Sequence, residues 1–178
     1  MTQLTHPHQP TTDAADKSVR PDPNKVIRAI RKRSFATIAT SSPADQPHTA
    51  GVLYEAVGTT LYVNTMRASR KARNVASNPK VAVAIVIRRI PFGPPSTVQF
   101  QGTAEVLELD DPDVSALVEA GKLKTITGHG ELDEPGGCFL RITPNNKLIT
   151  YGLGMSLLAL IRDPLDAGGV IRLDEIGG

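Results

Sequence analysis

Four cations crowd one short stretch of this chain: Arg67, Arg70, Lys71 and Arg73. The same stretch reads as the start of a helix, since Thr65 or Ser69 can cap it and Ala72, Val75 and Ala76 fall at i, i+3 and i+4 to form one apolar face. The unpaired N–H groups of a helix N-terminus already make the potential positive there, so each cation costs about 0.3–1 kcal/mol. An anion placed at that end reverses the sign, because the N–H groups, a hydroxyl from Ser69 or Thr65 and two or three cations converge on it. At about 100° per residue, Arg67 and Arg70 lie well away from the apolar face and Lys71 lies at its edge, which leaves all three able to reach a ligand. The residues therefore describe a phosphate site, or else a solvated basic helix on an ordinary surface. Chemistry alone leaves both open.

The elements that must hold this corner flank it directly. Leu61 to Thr65 is a short β-prone run ending in polar residues, Asn78-Pro79 stops the helix that begins near Ala68, and 81–87, VAVAIVI, is a buried strand. Upstream, Asp22 caps and Pro23 opens a helix to about Arg33. Its Val26, Ile27 and Ile30 face inward, and its basic residues gather toward the C-terminus where the dipole favours them. Residues 34–40 form a strand, 41–47 a turn, and 48–56 a second strand that turns at 57–59 into Leu61 to Thr65, so the three make an antiparallel meander. Gly51 within the second strand marks a close approach, a bulge or a barrel bend.

Downstream, 88–95 is a proline-dense loop and 97–108 is a long strand that Gly102 bends. Asp110 to Asp113 caps a helix holding Val114, Leu117 and Val118. Residues 122–137 are irregular, with His129 a loop histidine unless the fold returns it to the groove. Residues 138–151 read as the last main strand, interrupted near Pro144-Asn-Asn146. An apolar helical turn follows from Met155, and the glycine-rich end is a loose arm or a strand swapped with a partner.

With 178 residues, 40% hydrophobic and 21% charged, the chain is long enough for one domain, 22–178, behind a polar tail, 1–21, that is expected to be disordered. His6 and His8 in that tail fall short of the three or four fixed ligands a metal site needs, so no metal is expected. A net charge of +2 argues against a nucleic-acid partner. Cys138 stands alone, which rules out an internal disulfide and suits a reducing cytoplasm. The N-terminus has no apolar signal core, and the longest apolar stretch, Tyr151 to Ile161, is too short to span a membrane. No G-x-S-x-G elbow, C-x-x-C pair or phosphate-binding G-x-x-x-x-G-K-[ST] loop occurs. Catalytic residues cannot be named on this basis, and an enzyme built on this chain needs a cofactor for its chemistry.

The ordered set Gln46 to Tyr54 (QPHTAGVLY), Leu61-Tyr-Val-Asn-Thr65, Ser69-Arg-Lys71, Asn74-Val75 and Asn78-Pro-Lys-Val81 resembles the pyridoxamine 5′-phosphate oxidase-like family, over 27–87 and more loosely to 120. The resemblance implies a mainly β fold with flanking helices, the split β-barrel of FMN-binding type with antiparallel strands. It implies FMN with its ring along the two strands before the helix and its phosphate on Ser69, Arg70 and Lys71, with Arg67 beside them. The small residues Thr49, Ala50 and Gly51 would let the flat ring approach the backbone, and His48, Asn64 and Thr65 would be its polar neighbours. A shallow groove does not enclose three rings by itself, so a homodimer with two sites at its interface is expected.

The implied activity is hydride transfer to or from a small organic substrate by a flavin-dependent oxidoreductase. One alternative is a reductase using the deazaflavin coenzyme F-420 in the same groove, whose longer acidic tail would draw on Arg67, Arg73, Arg88 and Arg89. The other is a flavin or haem binding protein without turnover. The chain departs from authentic pyridoxamine phosphate oxidases in lacking any Trp and the Arg-x-His element near the C-terminus, so vitamin-B6 oxidation is not implied.

Overall fold

The computed structural model describes residues 21–88 and 93–175. Nearly all of the expected tail, with His6 and His8, lies outside the described residues, as does the candidate cation Arg89. In chain order the elements are α1 (Pro23–Arg31), β1 (Phe35–Ser41), β2 (Pro47–Leu53), β3 (Glu55–Val57), β4 (Thr60–Met66), α2 (Arg70–Ser77), β5 (Lys80–Ile87), β6 (Ser96–Leu107), α3 (Pro112–Glu119), β7 (Gly137–Pro144), β8 (Lys147–Tyr151), α4 (Leu157–Arg162) and β9 (Gly168–Arg172).

The strands form one nine-stranded sheet in the order β2-β1-β5-β6-β7-β4-β3, with β8 on β6 and β9 on β8, and every ladder is antiparallel. The sheet curls into a half-barrel with flanking helices, the expected split barrel. Alternation sets its inner face: Ala36 and Ile38 of β1, Val83 and Ile85 of β5, and Val98 and Phe100 of β6 are all buried. Val26 and Ile30 of α1 and Ala72 and Val75 of α2 pack into the same core. A second cluster, Tyr62, Phe139, Val114, Leu123 and Ile126, lies beneath α3 and the turn after it.

Some expectations change and others are sharpened. The strand expected over 48–56 breaks at Tyr54, whose ring is fully buried and whose hydroxyl donates to the Ile30 carbonyl at 2.8 Å. Because the chain turns inward there, β2 and β3 sit at opposite ends of the strand order, and the expected three-strand meander does not form. The stretch 138–151 is interrupted where expected, at 145–146, and the interruption divides it into two strands, β7 and β8. The long β6 carries β7 on its C-terminal half and β8 on its N-terminal half, and the Asn145 N–H donates to the Gln101 carbonyl between them (2.8 Å). Gly102, where a bend is expected, pairs in register with both Val81 and Pro144, and a Cβ there would lie 2.2 Å from the Thr143 carbonyl oxygen, so close approach of two backbones adds a reason for the glycine. The glycine-rich end is not a loose arm as far as Arg172: it is β9, in register with β8 of its own chain.

Candidate functional site

The corner between β4 and α2 is built from local hydrogen bonds. Ser69, in extended conformation, caps α2 by accepting the Ala72 N–H at 3.3 Å, and Thr65 donates its hydroxyl to Ser69 Oγ at 3.4 Å. Of the two expected caps, Ser69 is the cap and Thr65 supports it. The Ser69 N–H donates to the Met66 carbonyl and the Arg67 N–H to the Gly136 carbonyl, both at 2.9 Å, which ties the corner to the loop before β7.

The first turn of α2 holds no acidic residue. Among the described residues Arg70, Lys71 and Arg73 make no ion pair with a carboxylate, whereas Arg67 is paired with Glu108. Arg67 therefore contributes less net positive charge to the corner than its sequence position implies. Sequence reasoning does not find Glu108, because the partner comes from the far end of β6.

The packed face of α2 differs by one residue from the expected Ala72/Val75/Ala76. Ala76 is exposed, and Asn74 is buried in its place. The physical reason is a hydrogen-bond chain. Asn74 Nδ2 donates to Thr40 Oγ1 at 2.9 Å, and that hydroxyl donates to the His48 carbonyl at 3.4 Å, so the helix is fastened across β1 to the middle of the candidate site. Asn74 lies about 100° round the helix from Val75 and about 160° from Ala72, so helical phase does not signal its burial.

Strand β2 shares a ladder with β1 alone, and β4 shares ladders with β3 and β7. The two come into contact without pairing, and α2 packs on β1 and β2 beside them. The split of the barrel therefore runs between the candidate residues of β2 and those of β4. Along β2, Thr49 and Gly51 are exposed while His48 and Ala50 are half-buried. The place above Gly51 is taken by the chain's own aromatic ring: a Cβ would lie 2.7 Å from Cζ of Phe35. Asn64 and Thr65 are half-buried at the end of β4 and, as successive strand residues, face opposite ways. Thr65 faces Ser69. Asn64 lines the hollow beside the loop before β7, and its buried Nδ2 has no hydrogen-bond partner among the described residues.

That loop returns over the end of β4. A hollow of about 320 Å³ is lined by Asn64, Thr65, Met66, His129, Gly130, Glu131 and Glu134. His129 lines this hollow with its side chain largely exposed. Its N–H donates to one Glu131 oxygen at 2.7 Å and its Nδ1 stands 3.6 Å from the other; the His129 N–H is the main reason the Glu131 carboxyl is held below the usual range. Burial pushes the Cys138 thiol up, which disfavours the thiolate a nucleophile needs. Two larger hollows, about 580 and 710 Å³, lie side by side on the outer face of β1, β5 and β6, and neither is lined by Arg70 or Lys71. Charge rather than volume distinguishes the α2 corner. Among the described residues no three His, Cys, Asp or Glu side chains gather as a metal site requires, and no helix is long and apolar enough to cross a membrane.

Residues 23–145, from the first turn of α1 to just past β7, match the family model described as pyridoxamine 5′-phosphate oxidase. The chain belongs to this family. Comparison with curated proteins finds no match. Among solved structures, the haem storage protein HutZ from Vibrio cholerae aligns with a TM-score of 0.65 at 18% identity, over 76% of this chain and 97% of that one. A haem binding protein from Mycobacterium smegmatis aligns with a TM-score of 0.66 at 17% identity, over 88% of this chain and 60% of that one. An FAD-binding protein from Mesorhizobium loti aligns with a TM-score of 0.55 at 18% identity, over 70% and 88%. At these identities the likeness establishes the fold of the family member, and its ligand must be argued from its own residues.

Proposed function

We propose that this member of the pyridoxamine 5′-phosphate oxidase family binds FMN in the split between β2 and β4 and acts as a flavin-dependent oxidoreductase on a small organic substrate. The observation that carries the reading is the N-terminus of α2: a serine cap, an exposed Arg70, a half-buried Lys71, no acidic residue in the first turn and no carboxylate on either cation. Ser69, Arg70 and Lys71 would hold the phosphate. His48, Thr49 and Ala50 would flank the ring from β2, the place above Gly51 being filled by Phe35, and Thr65 would flank it from β4. The donor set fits an anion, since Ser69, Arg70 and Lys71 meet at a helix N-terminus whose first turn holds no acidic residue.

A bound flavin supplies hydride transfer, and the chain supplies position and electrostatics. Thr65 and the Asn74–Thr40–His48 chain fix the two walls relative to the helix. Arg67, occupied by Glu108, adds little charge beyond the phosphate. That weakens the case for the acidic tail of F-420 and leaves FMN ahead of it.

Pairing of two chains agrees with the outer sheet face, where a floor of Thr37, Ala39, Ala82 and Ala84 is bordered by exposed Phe35, Leu53, Val86 and Ile149. The single buried cysteine suits a cytoplasmic setting. A second reading, haem binding without turnover, is favoured by the likeness to two proteins described as haem storage and haem binding proteins. Titrating the apo-protein in parallel with FMN, F-420 and hemin separates these readings. Quenching of FMN fluorescence at micromolar concentration, with F-420 weak and no Soret shift on adding hemin, is expected; tight F-420 binding or a saturable Soret shift without FMN binding contradicts the proposal.

A further inference from the structure

The net charge of +2 conceals a division of the chain. Residues 23–104 hold twelve basic residues and two acidic ones, whereas 105–178 hold six basic and thirteen acidic. The α2 corner accounts for only part of the basic share. A second concentration lies on α1, where Lys25, Arg28, Lys32 and Arg33 line a hollow of about 400 Å³ together with Ala29 and Ile87. Among the described residues none of these four cations makes an ion pair with a carboxylate. The flanking sequence offers none, since no Asp or Glu occurs over 23–44 or 56–104.

The helix dipole does not account for this cluster. It favours Arg28 in the last turn of α1, but Lys25 stands in the first turn, where a cation is disfavoured. Lys25 and Arg28 at i, i+3 and Arg28 and Lys32 at i, i+4 are like-charge neighbours, and each such pair weakens a helix. Arg33 is held in place: its guanidinium donates to the Arg88 carbonyl at 2.9 Å, which fastens it to the end of β5. The hollow is therefore concave, one-signed and backed by the buried Ile87, and low-dielectric walls of this kind focus the field on an anion. Along the helix Lys25, Arg28 and Lys32 follow one another at intervals of about 5 Å, so a single phosphate meets one or two of them and a short run of linked phosphates meets all three.

We propose that this hollow binds a compact polyanion, the di- or triphosphate group of a nucleotide or of an inorganic polyphosphate, with Lys25, Arg28, Lys32 and Arg33 as its ligands. The arginines offer paired N–H donors to phosphate oxygens, and the lysines offer point charges. The site is separate from the α2 corner and does not rest on the flavin reading. Helix α2 leads into β5 at Lys80, whereas the hollow adjoins the other end of that strand at Ile87.

Calorimetric titration of the full chain with inorganic monophosphate, inorganic triphosphate and ATP at one ionic strength tests the proposal. Triphosphate is expected to bind about tenfold tighter than monophosphate or better, and to weaken as salt is raised. Lys25→Gln/Lys32→Gln is expected to remove that advantage, Lys25→Arg/Lys32→Arg to keep it, and Arg70→Ala/Lys71→Ala to leave it in place. ATP ahead of inorganic triphosphate supports a nucleotide as the ligand, and equal affinity supports the phosphate chain alone. Equal binding of triphosphate and monophosphate overturns the proposal. So does an advantage that is lost in Arg70→Ala/Lys71→Ala and kept in Lys25→Gln/Lys32→Gln, which would leave the α2 corner as the anion site. A single-stranded oligonucleotide that binds tighter than ATP would also overturn it, by making the basic surface a nucleic-acid face.

Discussion

Asn74 is the residue whose role departs most from its appearance. It looks like an ordinary polar position beside Arg73, yet it is buried and joins α2 to Thr40 and, through it, to His48. Asn74→Ala leaves the Thr40 hydroxyl and the helix face without that partner, at a cost of about 1–3 kcal/mol. A denaturant midpoint unchanged in this variant would mean that water replaces the link freely. FMN affinity should fall with it, since the wall of the site loses its tether.

Tyr54 gives the pH counterpart. Burial raises its phenol above the ordinary value near 10, so the folded chain keeps it protonated where the unfolded chain ionises. Its contribution is full below pH about 10 and is lost as pH climbs above that toward the folded value, by up to about 1.4 kcal/mol per pH unit. Tyr54→Phe should cost about 1 kcal/mol at neutral pH, from the lost bond to Ile30, and flatten the fall in melting temperature between pH 10 and 11. An identical alkaline decline in both proteins would assign it to other groups.

Among the elements, the contact of β6 with β7 is the tightest backbone approach at any glycine outside a positive-φ turn. Gly102→Ala would place a methyl 2.2 Å from the Thr143 oxygen, and separating the strands should cost about 1–3 kcal/mol. Full stability in that variant would show that the strands part without penalty. The elements themselves are legible in the sequence wherever their signals are local: Asp22, Ser69 and Asp111 cap the helices at or beside the positions their residue types indicate, and Pro79 follows the end of α2. Pairing is another matter. Thr65 opposite Cys138, or Gln99 opposite Ile149, is decided by closure of the barrel between distant segments, which no local pattern encodes. The break at Tyr54 hides for the same reason, since a tyrosine in a β-prone run gives no sign that its hydroxyl will be taken by α1. The α2 corner is readable because the cap and the cations are neighbours in sequence. Glu108, Glu131 and Glu134 reach the end of β4 and its corner only through the fold.

At the scale of the whole molecule, the outer sheet face is one apolar surface that a single chain leaves uncovered, with Phe35, Leu53, Val86, Ile149 and Val170 all exposed; Leu158, Ile161 and Leu165 are exposed on and after α4. A two-fold pair buries the same patch from both sides, so one charge placed in it acts twice. The parent should sediment at twice 19.0 kDa at micromolar concentration, and Ile149→Lys should sediment at 19.0 kDa with weakened FMN binding. A parent that is monomeric while binding FMN tightly would remove the pairing and keep the split as the site.

The central claim is that the α2 N-terminus holds the cofactor phosphate, and the most direct measurement is an FMN titration of the apo-protein beside Arg70→Ala/Lys71→Ala. Both side chains are at least partly solvent-accessible, so the double change should leave the fold intact by circular dichroism. Loss of two charge-assisted contacts should weaken FMN by about a hundredfold or more. A double variant that binds FMN as tightly as the parent would contradict the account.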